Sequence, residues 1–228
     1  MIVLGIDTAT SATAVALRLA DGTVREGRDD PPAGAHPGHA TRLLGMAAEL
    51  LDNAGIGARE LDRVAVGTGP GAFTGLRVGV ATARALAQSL TAELVAVPSL
   101  AALARTGPPG RPLLAVIDAR RGEVFAAPFG SPQGPQLAPV AVLAPARVGE
   151  LAGEDAVAVG DGAKRYRAEV QAAGIEVPAE EAREHLLRGA AICELGLELD
   201  PAGDYQGVVP DYVRRPDAEL SLQAGGAR

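Results

Sequence analysis

A chain of 228 residues with 47% hydrophobic content is long enough to bury a sizeable core, as one large domain or as two lobes of about 100 residues each. The formal net charge is -7, and acidic and basic residues are mixed along the chain, so no basic arm or stripe is available to neutralise nucleic-acid phosphates unaided. Aromatics make up 3% of residues and Trp is absent. The core must therefore be built from Ala, Val and Leu, a composition suited to closely packed helices and buried strands. The single cysteine, Cys193, excludes an intrachain disulfide, and its apolar neighbours mark it as a small buried hydrophobe. No stretch reaches the roughly 18 apolar residues of a membrane span, and no basic segment precedes the apolar start, so a cytoplasmic protein is expected.

In chain order, Ile2 to Ile6 is a short apolar run of buried-strand type, and a second run from Thr13 ends at the turn dipeptide Asp21-Gly22. A third strand follows through Val24. After a loop rich in Pro, Gly and Ala, the positions Leu43, Leu44, Ala47, Leu50, Leu51 and Ala54 recur at helical spacing from His39 until Gly55 stops the run. Val64 to Gly67 is a further buried strand, Gly69 to Gly75 a glycine-rich loop, 76–90 an Ala-rich helix and 94–97 a strand. The segment Thr106-Gly-Pro-Pro-Gly-Arg-Pro112 breaks regular structure and places a lobe boundary.

Beyond that linker the order restarts. An apolar strand ends in Ile117-Asp118 as the first ended in Ile6-Asp7, and Val157-Ala-Val-Gly-Asp-Gly162 echoes Val64-Ala-Val-Gly-Thr-Gly69. Helices are expected over 163–173 and 180–199. A unit of three strands, a helix, a strand and a helix, given twice, is the plan of the actin-like fold of sugar kinases, actin and the Hsp70 ATPase domain. The expected class is α/β, with two duplicated lobes, each a mixed sheet flanked by helices: 1–106, completed by 200–228, and 113–199.

The stretch Gly67-Thr-Gly-Pro-Gly-Ala-Phe-Thr-Gly-Leu-Arg-Val-Gly79 carries the strongest signal. Its glycines permit close backbone approach, and the following helix offers N–H groups to an anion. A nucleotide or anion there would meet Asp7, Thr8, Gly69, Gly71, Thr74 and Arg77. The alternatives are a tight strand-to-helix connection for the loop and an Asx-type turn for Asp7. The stretch lacks the Gly-Lys-Ser/Thr of a Walker A loop and the Rossmann spacing. His36 and His39 are separated by Pro37 and Gly38, which argues against a helical ligand pair, and His39 is expected to be solvated at a helix start. Asp118-Ala-Arg-Arg-Gly-Glu-Val-Phe125 puts an acid and two arginines at a hairpin turn, a contact surface for a partner or tRNA or a solvated turn. Glu180, Glu181, Arg183, Glu184 and Arg188 read as an ordinary charged helix face with a Glu184–Arg188 pair.

Four segments together, Leu4-Gly-Ile-Asp-Thr-Ala-Thr10, Gly69 to Gly79, Asp118 to Phe125 and Pro210-Asp-Tyr-Val-Arg214, closely resemble the TsaB (YeaZ) family over nearly the whole chain. That family is needed to make threonylcarbamoyladenosine (t6A) beside the anticodon of tRNAs that read codons beginning with A. The resemblance implies a non-catalytic subunit that pairs with the catalytic paralogue TsaD, with the ATPase TsaE joining the complex and tRNA reached through it. TsaD carries a metal-binding His pair where this chain, aligned on Val97, has Ser99 and Leu103, and a Leu side chain cannot coordinate a metal. The chain departs from the family at Ala72, usually Ser, and at Phe125, commonly Tyr, each losing a hydroxyl. No fused acetyltransferase domain is expected.

The resemblance further implies a partner face on the helices from His39 to Asn53 and over 76–90, with His39, Leu43, Leu50, Gly75, Gly79, Ala83 and Ala87 as contact positions and small residues allowing close helix approach. The same face would allow a homodimer in the absence of the partner. No cofactor of its own is expected, with ATP or ADP at the junction with TsaD or TsaE. The rival readings are an actin-like ATPase or small-molecule kinase using Asp7 and the glycine loop and, more weakly, a metallopeptidase, for which a full ligand set is missing.

Overall fold

The computed structural model describes residues 1–32 and 35–213. Five strands form the first sheet: β1 (Val3–Asp7), β2 (Thr13–Arg18), β3 (Val24–Asp29), β4 (Arg63–Gly69) and β5 (Glu93–Pro98), in the order β3-β2-β1-β4-β5. β1 runs antiparallel to β2 and parallel to β4. The central strands β1 and β4 are buried along their whole length, in keeping with their short apolar runs Val3-Leu-Gly-Ile6 and Val64-Ala-Val66, which suit a strand covered on both faces. The second sheet repeats the plan with β6 (Leu113–Arg120), β7 (Glu123–Phe129), β8 (Ala141–Leu143) and β9 (Val157–Val159), ordered β8-β7-β6-β9. β6 is parallel to β9 as β1 is to β4. Where a fifth strand would pair, a single parallel bridge joins Val157 to Glu176.

Among the described residues, six α-helices clothe the sheets: α1 (His39–Ala54), α2 (Phe73–Leu90), α3 (Ser99–Ala104), α4 (Asp161–Arg165), α5 (Arg167–Ala172) and α6 (Gly189–Glu198). α1 buries Leu43, Met46, Ala47, Leu50 and Leu51, the i, i+3, i+4 stripe of an amphipathic helix. It ends on Gly55 in the left-handed region at φ 68°, a conformation glycine adopts at little cost. α1 and α2 share one core with Leu4, Ile6, Val64 and Val66. The opposite face of the first sheet (Val3, Ala16, Ala65, Val95) packs on α3 and α6. These in turn meet Ala115, Ile117, Phe125 and Ala127 of the second sheet in one continuous core. A third core joins the outer face of the second sheet to Ala163 and Val170 of α4 and α5.

Several expectations need correction. The helix expected over 180–199 is only α6, preceded by a 3-10 turn at Arg183–His185. Arg188, extended at φ -105° and ψ 141°, ion-pairs with Glu26 of β3, so no helical Glu184–Arg188 pair forms. His185 draws this segment inward: it is 4% exposed, with Nδ1 accepting from the Gly160 N–H at 3.2 Å. α6, within the lobe expected to span 113–199, lies against the first sheet and shares one core with both sheets. The physical reason is close approach: a Cβ on Gly189 would lie 2.7 Å from Ala16 N, and one on Gly5 would lie 2.7 Å from Cys193 Sγ. The segment after α6 returns to the first sheet, with Ala202 N–H donating to Leu94 O at 2.8 Å and Asp211 N–H to Thr68 O at 2.7 Å. Arg214 and the rest of the expected 200–228 completion lie outside the described residues. Among the described residues, no helix is long and apolar enough to cross a membrane.

Candidate functional site

The glycine-rich connection is closed against the turn that follows β1. α2 begins at Phe73, so Phe73 to Gly75, expected in the loop, form its first turn. Ala72 N–H donates to Ala9 O at 2.7 Å, and a Cβ on Gly71 would collide with Ala9. Thr8 is fully buried and its hydroxyl donates to Gly75 O at 2.7 Å. Cβ atoms on Gly75 and Gly79 would collide with the Thr8 carbonyl and hydroxyl respectively. These glycines admit the protein's own backbone, so of the two sequence readings the structure supports the tight strand-to-helix connection.

Asp7, 1% exposed, is likewise engaged. Its Oδ1 accepts from Ala9 N–H at 2.7 Å, the Asx turn, and its Oδ2 accepts from the Ser99 hydroxyl at 2.7 Å. Ser99 Oγ in turn accepts from Gly69 N–H at 3.1 Å. Burial pushes the Asp7 carboxyl up to about 6, against the lowering effect of the Ser99 hydrogen bond. Of the other suggested anion contacts, Thr74 and Arg77 are exposed, and the Arg77 guanidinium sits 4.5 Å over the Phe73 ring.

The suggested partner-contact positions lie inside the first lobe. Leu43, Leu50, Ala83 and Ala87 belong to its core, and Gly75 and Gly79 face Thr8. The small-residue stripe on α2 therefore seats that helix on its own sheet. His39 is 4% exposed, not solvated, because Thr13 hydrogen-bonds its Nδ1 at 2.8 Å and α2 approaches closely at Gly75. Its Nε2 has no hydrogen-bond partner among the described residues, and burial lowers its pKa. The outward face carries instead Ala40, Leu44, Gly45 and Ala48 on α1, interspersed with Thr41, Arg42 and Glu49, and Ala81 and Ala85 on α2, all exposed.

Between the sheets opens a cleft of about 590 Å³, lined by Thr10, Ser11 and Arg28 from the first lobe and Asp118, Arg120, Asp161, Lys164, Arg165 and His185 from the second. The Asp118 carboxylate lies 3.4 Å from Arg120 and 3.5 Å from Arg165. Asp161 accepts from Asp118 N–H at 3.2 Å, and burial raises its carboxyl to about 6. Arg28 is held by Asp30 and Lys164 by Glu180, so the cleft is a field of paired charges. Sequence reasoning singled out Asp118 and Arg120 but missed Asp161 and Arg165, although the Gly-Asp-Gly echo pointed to that turn. Among the described residues, no group of three or more His, Cys, Asp or Glu side chains could hold a metal ion.

Two sheets of matching strand order with a cleft between them, α1 and α2 on one flank, and an acid at the end of the first strand of each half define a two-lobed actin-like protein. Residues 31–220 match the family described as TsaD, tRNA N6-adenosine threonylcarbamoyltransferase. The tRNA threonylcarbamoyladenosine biosynthesis protein TsaB of Bacillus subtilis is 29% identical over 226 residues, covering 96% of both chains. The Escherichia coli TsaB is 38% identical over 133 residues, covering 57% of this chain and 55% of that protein. A Pseudomonas aeruginosa crystal structure, described as an uncharacterized protein with similarity to peptidase YEAZ, superposes with a TM-score of 0.77 at 30% identity, covering 93% of this chain and 99% of that one. The match to the E. coli relative thus spans about half of that protein's length, whereas the B. subtilis match spans nearly all of it. The chain belongs to the TsaB (YeaZ) family and carries its TsaD-type domain.

Proposed function

We propose that this chain acts in tRNA threonylcarbamoyladenosine synthesis as a subunit that holds and activates a TsaD-type transferase without itself catalysing the transfer. The observation that carries the reading is the internal use of Asp7: both carboxylate oxygens are taken by Ala9 and Ser99, and the glycine connection beside it is filled by Ala9 and Thr8. A strand-end acid that is 1% exposed, with each oxygen hydrogen-bonded inside the protein, is poorly placed to reach a metal or water in the cleft. Ser99 and Leu103, which stand where the resemblance puts the paralogue's histidines, are both buried, at 0% and 1% exposure.

The partner surface is the outward face of α1 and α2, around Leu44, which is 54% exposed, with Gly45, Ala48, Ala81 and Ala85. Small side chains at these positions allow two helices to approach closely. ATP or ADP would sit at the junction with the transferase or with the ATPase TsaE. The transferase would supply most phosphate contacts, given this chain's net charge of -7.

The test is threonylcarbamoylation of a cognate tRNA by the TsaD and TsaE of the same organism, supplied with threonylcarbamoyl-adenylate and ATP, with and without this chain. Modification that depends on the chain, with co-elution of the chain and TsaD, is expected. Equal modification without it, or no binding to TsaD, would overturn the reading.

A further inference from the structure

Exposed apolar side chains gather where the returning C-terminal segment crosses the start of α2. Phe73 is 36% exposed and Tyr212 38% exposed, with ring centroids 4.9 Å apart and planes tilted by 33°. Arg77, one turn further along α2, places its guanidinium 4.5 Å from the Phe73 centroid. The arrangement is anchored: Asp211 N–H donates to Thr68 O at 2.7 Å, and Val208 is buried in the first-lobe core. Tyr212 is therefore held beside the sheet by the backbone hydrogen bond of its neighbour Asp211.

The charge of α2 departs from that of the chain: it contains Arg77 and Arg84 and no Asp or Glu. Aromatic rings interleaved with arginines are the groups that stack on unpaired bases and hold the adjoining phosphates. Phe73 and Arg77 lie on the same i, i+4 stripe of α2 as Ala81 and Ala85, so a protein contact at this end of the helix is the alternative that the test separates from base stacking.

We infer that Phe73, Arg77 and Tyr212 form a platform on which an unpaired base of the tRNA stacks, with a neighbouring phosphate on Arg77. This rests on the proposed role in tRNA modification and assigns to the chain a direct contact with the substrate.

The test measures binding of fluorescent tRNA by anisotropy over a range of salt, for the chain alone and for its complex with TsaD, with co-elution of the two proteins followed separately. Tyr212→Ala should weaken RNA binding about tenfold and Tyr212→Phe should leave it within about twofold. Arg77→Gln should weaken binding and lower the log–log salt slope by about one. Unchanged affinity and slope in all variants, with co-elution intact, would overturn the inference. Loss of co-elution in Tyr212→Ala would overturn it in favour of a protein contact. If the wild-type chain fails to bind TsaD, the proposed function fails, and the variants of the chain alone still decide the platform: RNA binding that is absent, or insensitive to them, refutes it.

Discussion

Ser99, the first residue of α3, donates a 2.7 Å hydrogen bond to Oδ2 of Asp7, the last residue of β1. Together with Gly69 N–H on the Ser99 oxygen, it ties the ends of β1 and β4 and the start of α3 to one buried carboxylate. The sign of the resulting pH dependence follows from the raised pKa. With a folded value of about 6 against 3.8, the folded state binds the proton more tightly than the unfolded chain. The contribution of Asp7 to stability is thus fully present at low pH, falls as pH rises from about 4 to about 6, and is level above that. The whole difference is on the order of 3 kcal/mol. Denaturant unfolding of the wild type and Asp7→Asn across pH 4 to 8 should show the wild type losing stability relative to the variant over that window. Parallel profiles would count against the buried charge.

Gly79→Ala places a methyl group on the Thr8 hydroxyl. The variant is expected to lose about 1–3 kcal/mol by overpacking. Gly45→Ala, on the outward face of α1 with nothing within 4 Å of its added Cβ, should instead gain about 0.5–1 kcal/mol from helix propensity. Urea midpoints of the two variants decide the matter, and a Gly79→Ala protein as stable as the wild type would mean that the loop is not locked.

Adjacent leucines on α1 should separate folding from association. Leu43, 1% exposed, belongs to the core, and Leu43→Ala should cost about 2–5 kcal/mol. Leu44→Glu should leave the melting temperature nearly unchanged and abolish co-elution with the transferase. Retained co-elution would move the partner face elsewhere.

Cys193 is fully buried among Gly5, Val3 and Ala16, and burial pushes its thiol up to about 12. The thiolate is the reactive form, so the native protein should resist a thiol-specific reagent at pH 8 and react with one equivalent once unfolded in urea. Rapid labelling of the native protein would contradict the packing of α6.

Much of the fold was readable because the apolar runs at Ile2 to Ile6 and Val64 to Gly67 can only be central strands, and the spacing of Leu43, Ala47 and Leu50 can only be a helix face. The failures have a common cause. Residues 180–188 have helical composition, yet tertiary contacts of His185 and Arg188 hold them extended or in a 3-10 turn. His39, flanked by Pro and Gly, read as a surface residue, and only the approach of α2 at Gly75 makes it a buried one. The glycines of α2 were legible as sites of close approach, but not whether the approaching group was a ligand, a partner or the chain's own Thr8. One-dimensional spacing does not record which side of a helix another part of the chain covers.

The middle layer sets a mechanical limit. α3 and α6 are packed on both sides, with Leu100, Leu103 and Ile192 in one continuous core that reaches from Val95 of the first sheet to Phe125 of the second. Swinging the sheets apart would strip these side chains of their contacts and expose them to water, which costs about 25 cal/mol for each Å² uncovered. A molecule so built resists the hinge motion by which two-lobed enzymes grip and release a ligand, and the partner face proposed on α1 and α2 would be a rigid rail.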